Sequence, residues 1–400
     1  MIKRKLYLDQ IEPLIDVDII KVLTGIRRSG KTVLLSQVQE LLMDKGIDKN
    51  NIISINLESA LNRKLQNADT LYEYVSEKAK QASGKIYIFL DEIQETEHWE
   101  KVINSFRVDF QCDIYITGSN SKLLSGELAT YLAGRYVQIH VYPFTLAETK
   151  EYLMSENLFV SDNRLFADYL KYGGFPQVWQ MKDEHTKNIY LKDLYDAIVL
   201  RDIVSRYSLR DHVTLQRLLA FLMDNIGNPF SARSISRTLE SDGTKMTANT
   251  IITLIDYMTE AFALFKVSRY DIKGKNLLTT NEKYYAADLG LRNTVKNSEV
   301  IDSSKLYENI VFLEMLSRGY EVRVGKLDDK EIDFICYKDR QKLYIQVAYL
   351  ITDNDTEREF GNLEKINDNY PKYVISGDMI DLSRNGIIHR NIIDFLLERK

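Results

Sequence analysis

The fold of this chain is decided by residues 24–42, which read "TGIRRSGKTVLLSQVQELL". Gly25, Gly30, Lys31 and Thr32 match the pattern GxxxxGK followed by Ser or Thr at every position. A loop that wraps phosphate needs glycines because its backbone N–H groups converge in conformations that a side chain would obstruct. Lysine then reaches the β- and γ-phosphates and threonine ligates Mg²⁺. The stretch therefore predicts a nucleotide-binding P-loop, and the alternative is a plain glycine turn.

The residues on both sides of this loop have the periodicity that a P-loop requires. Residues 19–23, "IIKVL", form a short apolar strand before it. After it, apolar residues recur at helical spacing, so that the loop opens an amphipathic helix. Arg27 and Arg28 either contact phosphate or face solvent. The predicted nucleotide-binding residues are Gly25, Arg27, Arg28, Ser29, Gly30, Lys31, Thr32 and Val33.

An acidic pair follows the next strongly apolar run. Residues 86–90 are continuously apolar, which is typical of a parallel strand buried on both faces, and the run ends in Asp91 and Glu92. We expect Asp91 to hold Mg²⁺ together with Thr32, while Glu92 orients or deprotonates the attacking water. A solvated acidic turn is the alternative, and the complete P-loop upstream disfavours it.

Three further stretches have strand-like patterns, at residues 51–57, 112–120 and 136–144, and helical stretches such as residues 71–82 separate them. Strands that alternate with helices form a parallel sheet covered by helices on both faces. Ligands of such sheets bind at the carboxyl ends of the strands. The sequence thus predicts an α/β P-loop domain at residues 1–161, with its site where these strands end.

The first half of the chain resembles the AAA-type P-loop ATPases, specifically a bacterial and archaeal family that carries a C-terminal domain of unknown function. The resemblance rests on "GIRRSGKT", "IFLDEIQ", "ITGSNSKLLSGELATYLAGRY", "VYPFTLAE" and "YGGFPQVW". It implies that Asn120, in preference to Ser119, is the polar sensor of the γ-phosphate. It also implies that Arg135 is a candidate arginine finger, since a guanidinium stabilises charge on the transferred phosphoryl group. Alternatively, Arg135 caps a helix at residues 128–133.

The middle of the chain predicts mostly helices. Residues 162–207 are expected to form a helical connector, because apolar and charged residues alternate there at helical spacing. Residues 208–298 then show three helices and two strands, an order typical of a winged helix-turn-helix domain. The predicted helices span residues 213–226, 231–239 and 248–261, and the predicted strands span residues 263–270 and 283–286.

A winged helix supports two hypotheses about its partner. If it binds DNA, the third helix offers Asn249, Thr250 and Thr253 to the bases, although Asp256 and Glu260 lie on the same helix. The wing would then contact the phosphate backbone. The alternative is a domain that packs against the ATPase domain or another protein. The predicted backbone contacts are Arg269, Lys273 and Lys275.

Residues 299–400 resemble the core of restriction-endonuclease-like domains, because a helix at residues 307–318 precedes three strands. In active members, an acidic residue on the second strand and the pattern E-x-K on the third strand assemble a Mg²⁺ site. The resemblance assigns Asp333 to the first position. Gln346 and Ala348 stand where the glutamate and the lysine belong, and residues two apart do share one face of a strand.

The missing lysine decides the prediction for this last domain. Gln346 still offers an amide oxygen to a metal, but Ala348 cannot stabilise a scissile phosphate. We therefore expect an inactive nuclease-like fold used for binding or assembly, and a metal-dependent nuclease is the alternative. The side chains that would complete a site are Glu308 and Glu314 on the helix and Lys338 or Lys342 in the turn, where lysines are usually solvated.

The composition is that of an ordinary globular protein. A formal net charge of −5 argues against polyanion binding along the whole chain, so any nucleic-acid site is local. The start "MIKRKLYLDQ" lacks the apolar stretch of a signal peptide, and no run of about 18 apolar residues occurs. We therefore expect a cytoplasmic protein without membrane contact. Cys112 and Cys336 lack a CxxC partner, so we expect two buried thiols.

Together these features predict an ATPase that uses ATP and Mg²⁺ and couples hydrolysis to conformational change on a nucleic-acid or protein partner, or on further copies of itself. Two alternatives stay open: a nucleotide-dependent binding switch with negligible hydrolysis, and an ATP-gated nuclease. The predicted catalytic residues are Lys31, Glu92, Asn120 and Arg135, and the predicted metal ligands are Thr32 and Asp91.

Overall fold

The structure of the chain is a computed structural model. It describes residues 2–121, 134–209, 211–241, 243–295, 302–352 and 355–398, except for the side chains of residues 279 and 280. The chain folds as two compact units, Met1–Tyr142 and Pro143–Lys400. In each unit, buried apolar residues pack against a β-sheet to form the core.

The first unit is built on a parallel sheet. Its strands are β1 (Ile20–Thr24), β2 (Ile52–Asn56), β3 (Ile86–Asp91), β4 (Cys112–Gly118) and β5 (Tyr136–His140). Their order in the sheet is β2-β3-β4-β1-β5, and every neighbouring pair is parallel. The predicted α/β fold with a parallel sheet is confirmed. Because the strands run in the same direction, their carboxyl ends meet at one edge, where the P-loop follows β1.

Helices cover both faces of this sheet. Successive strand residues point to opposite faces, so that Ile88 packs in one apolar cluster and Phe89 in the other. The α-helices are α1 (Lys5–Ile11), α2 (Lys31–Asp44), α3 (Ala68–Ala79) and α4 (Trp99–Asp109). Short 3-10 helices lie at Glu12–Leu14, Lys49–Asn51, Ala60–Gln66 and Ile93–Glu95. Helix α2 packs in the cluster of Phe89, and helices α3 and α4 pack in that of Ile88.

The second unit contains a mixed sheet. Its strands are β6 (Pro229–Phe230), β7 (Leu264–Asp271), β8 (Asn276–Ala286), β9 (Glu321–Leu327), β10 (Lys330–Lys338), β11 (Gln341–Val347), β12 (Lys372–Ser376) and β13 (Ile388–Asn391). Their order is β13-β12-β11-β10-β9-β7-β8-β6. The pairs β7–β9, β11–β12 and β12–β13 are parallel, and the other pairs are antiparallel.

The helices of the second unit lie before, between and after these strands in the chain. They are α5 (Leu146–Ser155), α6 (Asp162–Tyr172), α7 (Glu184–Ala197), α8 (His212–Asp224), α9 (Ala232–Ser241), α10 (Ala248–Glu260), α11 (Leu289–Val295), α12 (Ser303–Ser317), α13 (Thr356–Glu359), α14 (Gly361–Glu364) and α15 (Ile392–Leu397). A 3-10 helix lies at Pro176–Gln180, and a π-helix at Ile198–Ser205 continues α7.

The predicted winged helix and nuclease-like domain share one sheet. Helices α8, α9 and α10 and strands β7 and β8 occur near the predicted positions, but β7 also pairs with β9 of the C-terminal part. The pairing joins Arg269 to Val324 and Asp271 to Lys326. The names winged helix and restriction-endonuclease-like stay predictions, as does the division of the chain after residues 161, 207 and 298.

The glycine pair at residues 173 and 174 is explained by one buried carboxylate. Asp288 Oδ2 accepts a hydrogen bond from the Gly174 N–H at 2.6 Å, and Oδ1 accepts one from the Leu291 N–H at 3.2 Å. Gly173 has a φ angle of 70°, and a Cβ atom there would lie 2.1 Å from Asp288 Oδ1. The turn therefore needs glycine so that the backbone can approach the carboxylate.

Candidate functional site

The P-loop occupies the carboxyl edge of the first sheet, between β1 and α2. Gly25 and Gly30 have φ angles of 144° and 100°, which favour glycine over any other residue. A Cβ atom on Gly25 would also lie 2.2 Å from the carbonyl oxygen of Val141. Both glycines of the sequence pattern are therefore required by the backbone of the loop.

The Lys31 ammonium lies inside this loop. Its Nζ donates hydrogen bonds to the carbonyl oxygens of Gly25, at 2.9 Å, and Ile26, at 3.2 Å. Glu92 Oε1 lies 3.9 Å from the same nitrogen. A phosphate oxygen is charged and accepts hydrogen bonds more strongly than a neutral carbonyl. The lysine is thus held where it can exchange carbonyl partners for phosphate.

The Asp91 carboxylate links the P-loop to two neighbouring strands. Its Oδ2 accepts hydrogen bonds from Thr32 Oγ1, at 2.8 Å, and Asn56 Nδ2, at 3.0 Å, and its Oδ1 accepts one from Thr117 Oγ1 at 2.6 Å. Burial raises the pKa of Asp91, against the hydrogen bonds from Thr117 and Thr32. A hydroxyl and a carboxylate in contact are the oxygen ligands that suit Mg²⁺.

Glu92 is held in an unusual backbone conformation beside this carboxylate. Its φ angle is 53°, in the left-handed region that a non-glycine residue rarely adopts. The Glu92 N–H donates to Thr117 Oγ1 at 2.8 Å, and Gln94 Nε2 donates to Glu92 Oε2. Thr117 therefore fixes Asp91 through its hydroxyl hydrogen and Glu92 through its oxygen. This arrangement keeps the two neighbouring carboxylates in separate positions.

The other predicted loop residues differ in their surroundings. Arg27 Nη1 lies 3.3 Å from Glu58 Oε1, whereas Arg28 is exposed with a φ angle of 68°. Ser29 is buried, and its Oγ has no hydrogen-bond partner among the described residues. Val33 is half-buried in the first turn of α2. A buried hydroxyl in a glycine-lined loop fits a phosphate oxygen as its missing acceptor.

The candidate sensor follows β4 at the same edge of the sheet. Ser119 and Asn120 are both buried, 1% and 4% exposed, directly after Gly118 ends the strand. Strand β4 lies between β3 and β1, so these two residues follow their strand at the same edge as the acidic pair and the P-loop. The structure therefore brings the predicted sensor to the predicted site.

The candidate arginine finger lies elsewhere. Arg135 precedes β5, its carbonyl oxygen accepts a hydrogen bond from the Ile20 N–H at 2.9 Å, and its Nη1 donates to Asn104 Oδ1 at 3.3 Å. Ile20 begins β1, whereas the P-loop follows the end of β1, so Arg135 occupies the opposite edge of the sheet. The structure does not bring Arg135 to the loop of its own chain. The alternative helix at residues 128–133 lies outside the described residues.

Several residues of the site were not predicted from the sequence. Asn56 and Thr117 contact Asp91, and Arg4 donates a hydrogen bond to the Ser29 carbonyl of the loop. His140 ends β5, and burial together with the charge of Lys31 lowers the pKa of its imidazole to about 3. A polar residue at the end of an apolar strand was the available signal for Asn56, Thr117 and His140. No pattern in the sequence marked Arg4.

A second buried lysine lies among carboxylates in the second unit. Lys283, on β8, is 0% exposed, and its Nζ lies 2.8 Å from Glu308 Oε1 and 2.6 Å from Glu331 Oε1. Asp333 Oδ1 is 4.0 Å away. Burial acts to lower the pKa of Lys283, but the charges of Glu308, Asp333 and Glu331 raise it. The lysine is therefore held as a cation by surrounding anions.

One hydrogen bond joins Asp333 to Gln346, and another joins Asp333 to the backbone of β11. Asp333 Oδ2 accepts from the Val347 N–H at 2.8 Å, and the Asp333 N–H donates to Gln346 Oε1 at 3.3 Å. Burial, followed by the charge of Glu308, raises the pKa of Asp333 to about 7. Thus Asp333, Gln346 and Glu308 do converge, and the positive charge comes from Lys283 on another strand.

The remaining residues proposed for a nuclease site have other partners. Glu314 Oε1 lies 2.7 Å from Arg318 Nε, Lys338 donates to the Arg318 carbonyl at 2.7 Å, and Lys342 pairs with Asp368 at 3.4 Å. Among the described residues, no group of three or more His, Cys, Asp or Glu side chains could hold a metal ion. Glu314, Lys338 and Lys342 are therefore each held by a partner other than Asp333 and Gln346.

The candidate nucleic-acid residues lie on the surface of the second unit. Asn249, Thr250, Thr253 and Asp256 are exposed on α10, whereas Glu260 accepts a hydrogen bond from the Tyr207 hydroxyl. In the turn between β7 and β8, Lys273 pairs with Asp328 at 2.6 Å and Lys275 is exposed. Arg269 is half-buried. This surface therefore mixes acidic and basic groups.

Two further expectations concern the membrane and the thiols. In the described parts of the chain, no helix is long and apolar enough to cross a bilayer. Cys336 is buried and Cys112 is half-buried, and both are free thiols. The expectation of a buried thiol therefore holds for Cys336, whereas Cys112 is only partly buried.

Two family models and several relatives match this chain. A family model described as an AAA domain matches residues 18–150, and one described as a domain of unknown function (DUF8612) matches residues 163–301. An uncharacterized protein of Haemophilus influenzae is 42% identical over 402 residues, which is 100% of this chain and 99% of that protein. Uncharacterized protein MJ1544 of Methanocaldococcus jannaschii is 30% identical over 362 residues, which is 86% of this chain and 78% of that protein.

A solved structure gives the fold of the nucleotide site. The Walker-type ATPase PABY2304 of Pyrococcus abyssi superposes with a TM-score of 0.50 at 16% identity, over 74% of this chain and 96% of that chain. At this identity the similarity shows the fold alone, and it agrees with the P-loop and the parallel sheet. The chain therefore belongs to the family of these Haemophilus influenzae and Methanocaldococcus jannaschii proteins, and it carries an AAA-type P-loop domain.

Proposed function

We propose that the chain is a Mg²⁺-dependent ATPase whose reaction takes place between the P-loop and the acidic end of β3. The observation that carries the proposal is the 2.8 Å hydrogen bond from Thr32 Oγ1 to Asp91 Oδ2. It joins the metal-ligand position of the loop to a carboxylate that the sequence places 59 residues later. Lys31 and Glu92 flank this pair at a mutual distance of 3.9 Å.

The residues of the loop bind the phosphates in this proposal. Lys31 exchanges the carbonyls of Gly25 and Ile26 for oxygens of the β- and γ-phosphates, because the charged acceptors are stronger. Backbone N–H groups of the loop and of the first turn of α2 donate to the same phosphates. Ser29 Oγ gains an acceptor, and Arg28 reaches the outer phosphate from the exposed side of the loop.

The acidic residues divide the remaining work. Thr32 and Asp91 would hold Mg²⁺, which supplies positive charge beside the phosphates when it is bound. Glu92 accepts a proton from the attacking water, and its fixed backbone aims the carboxylate at the loop. Asn120, buried between β3 and β1, orients the outer phosphate. Each role uses a side chain at the carboxyl edge of the sheet.

The direct test separates nucleotide binding from hydrolysis. Glu92→Gln preserves the shape of the side chain but removes its basicity, so we expect ATP affinity within about 3-fold of wild type and hydrolysis slower by about 10²-fold or more. Glu97→Gln is the matched control, because it makes the same change at an exposed glutamate five residues later. Equal single-turnover rates for wild type and Glu92→Gln would refute the catalytic role.

A nucleotide-dependent binding switch is the second candidate, and the position of Arg135 favours it. The finger lies at the opposite edge of its own sheet, so an isolated chain would lack that stabilisation of the transition state. Under this candidate, wild-type ATP turnover in single-turnover experiments would match that of free ATP. Acceleration that rises with protein concentration would instead support Arg135 acting in trans between copies.

We further propose that hydrolysis drives a conformational change on a nucleic-acid or protein partner. The exposed polar face of α10 and the turn around Lys273 and Lys275 support nucleic acid, whereas Asp256 and the Lys273–Asp328 pair support protein. ATP hydrolysis should be measured with and without DNA or RNA. Stimulation that Lys275→Ala weakens would favour nucleic acid, and unchanged turnover would favour a protein partner.

A further inference from the structure

Arg4 packs against the P-loop at the Ser29 carbonyl and is almost completely buried. The residue is 2% exposed, and its Nη1 donates hydrogen bonds to the carbonyl oxygens of Ser29, at 3.0 Å, and Tyr142, at 2.9 Å. The guanidinium carbon lies 4.5 Å from the ring centroid of Tyr7. Burying a permanent positive charge is unfavourable unless its contacts compensate. The loop therefore forms part of the environment that stabilises this charge.

The hydrogen bond to Ser29 fixes the direction of the next amide. In a planar trans peptide, the C=O and the following N–H point in opposite directions. The Ser29 carbonyl points toward Arg4. The Gly30 N–H therefore points away from Arg4, toward the side of the loop where phosphate would bind. Gly30 is the residue before α2, where N–H groups bind phosphate.

The segment that carries Arg4 is itself attached to α2. The Arg4 N–H donates to Gln37 Oε1 at 3.0 Å, and Gln37 Nε2 donates to the carbonyl oxygen of Ile2 at 2.6 Å. Gln37 is 5% exposed, in the second turn of α2. The backbone around Arg4 and the helix that begins at Lys31 are thus fixed relative to each other.

The second carbonyl that Arg4 holds connects the two ends of the loop. Tyr142 follows Val141, whose N–H donates to the Thr24 carbonyl at 2.7 Å and whose own carbonyl packs against Gly25. The Tyr142 N–H donates to the Tyr7 hydroxyl at 3.0 Å. One guanidinium therefore bridges residue 29, near the end of the loop, to the chain that supports its beginning.

The charge of Arg4 also adds to the field at the phosphate position. A Cβ atom built on Gly30 would lie 3.7 Å from Arg4 Nη1, so the guanidinium is close behind the loop. At low effective dielectric, a buried cation at this range attracts a phosphate more strongly than a surface lysine does. The hydrogen bonds and the charge act in the same direction.

We propose that Arg4 is a positioning residue for the polyphosphate of ATP and ADP, which keeps the Gly30 amide directed at the phosphates without touching the nucleotide. This inference rests on the proposed nucleotide binding of the P-loop. It predicts a defect in the affinity for both nucleotides, and a smaller defect in the rate of the bound complex. A role only in stability would lower the unfolding temperature without changing affinity at temperatures where the variant is folded.

The test measures ATP and ADP affinity by calorimetry for wild type, Arg4→Met and Lys5→Met. Lys5 is the neighbouring exposed residue, and its replacement makes the same change in net charge. We expect Arg4→Met to weaken both nucleotides about 10-fold or more and Lys5→Met to change neither by more than about 2-fold. Unfolding temperatures without nucleotide identify loss of structure as a separate effect.

A conservative variant keeps the test decisive if Arg4→Met does not fold. Arg4→Lys retains the charge but loses the planar fork, so we expect affinity about 3-fold to 10-fold weaker than wild type and a kcat within about 2-fold. Arg4→Lys or Arg4→Met with wild-type affinity would overturn the inference while leaving nucleotide binding intact. A wild-type chain that binds neither nucleotide would overturn the proposed function itself.

Discussion

Lys31 in the first unit and Lys283 in the second unit are both buried lysines, and their partners differ. Lys31 donates to two neutral backbone carbonyls, at 2.9 and 3.2 Å, and the Glu92 carboxylate lies farther away at 3.9 Å, whereas Lys283 faces two carboxylates at 2.8 and 2.6 Å. Carbonyls leave the charge of Lys31 available to an incoming phosphate, while carboxylates neutralise that of Lys283. Under the proposed function, the charge of the partners, more than burial, separates a lysine that is available to a ligand from one that stabilises the fold.

The largest expected effect is on the stability of the second unit. Lys283→Met leaves Glu308, Glu331 and Asp333 close together without their shared cation, so we expect a loss of about 3–5 kcal/mol in the free energy of unfolding. Denaturant unfolding measures it, with the exposed Lys275→Met as control. A loss no greater than that of the control would mean that the Lys283 cluster does not stabilise the fold.

The second prediction uses pH to examine the same cluster. Because the folded-state pKa of Asp333 is raised from 3.8 to about 7, its contribution to stability is complete below 3.8 and is lost as the pH rises through 7. Asp333→Asn keeps an acceptor for Val347 and removes this titration. We expect wild type to lose about 4 kcal/mol more than the variant across that range, since each pKa unit corresponds to about 1.4 kcal/mol.

Comparing the two proteins at each pH removes the contribution of other groups. Asp288, whose pKa burial raises to about 6, titrates in the same interval in both. Parallel stability curves for wild type and Asp333→Asn would contradict the assignment of the raised pKa to Asp333.

The third prediction contrasts the buried aspartates of the two units as metal ligands. Asp91→Asn should raise the Mg²⁺ concentration for half-maximal ATP hydrolysis by about 10-fold to 100-fold, because a charged oxygen ligand is lost. Asp333→Asn should leave that concentration unchanged, since Lys283 already occupies its surroundings. Measuring the rate of ATP hydrolysis as a function of Mg²⁺ concentration for both variants tests this prediction. An equal shift in both variants would abolish the distinction between the two sites.

The smallest expected effect separates the two arginines of the loop. Arg28 is exposed, so Arg28→Ala should weaken ATP binding by about 3-fold. Arg27 is paired with Glu58, so Arg27→Ala should weaken ATP binding less than Arg28→Ala does. Calorimetric titration with ATP at two salt concentrations measures both. If Arg27→Ala has the larger effect, the Arg27–Glu58 pair must open when nucleotide binds.

The sequence alone was sufficient for the centre of the nucleotide site. The P-loop pattern and the acidic end of an apolar strand depend on local chemistry, so the sequence predicts that Lys31, Thr32 and Asp91 lie together. The parallel sheet followed from alternating strands and helices, because that alternation allows few topologies. What the pattern could not supply was the strand order, which selects Asn56 and Thr117 as the neighbours of Asp91.

The differences between the sequence patterns and the structure have physical reasons of the same kind. Arg135 precedes its strand, and in a parallel sheet a residue before a strand lies at the edge opposite to the site, which the motif alone did not express. Lys283 meets Glu308 and Glu331 from a strand that carries no motif, and Arg4 reaches the loop from a segment without any motif. Both contacts depend on tertiary packing, which one-dimensional periodicity does not encode.

The central claim is that the Lys31 site hydrolyses ATP, and one measurement tests it most directly. Steady-state phosphate release should be compared for wild type, Lys31→Ala and Lys45→Ala, because Lys45 is an exposed lysine at the other end of α2 that pairs with Glu12 at 2.8 Å. We predict Mg²⁺-dependent release by wild type and Lys45→Ala, and a decrease of about 10²-fold or more in Lys31→Ala. Equal release by wild type and Lys31→Ala would contradict the account.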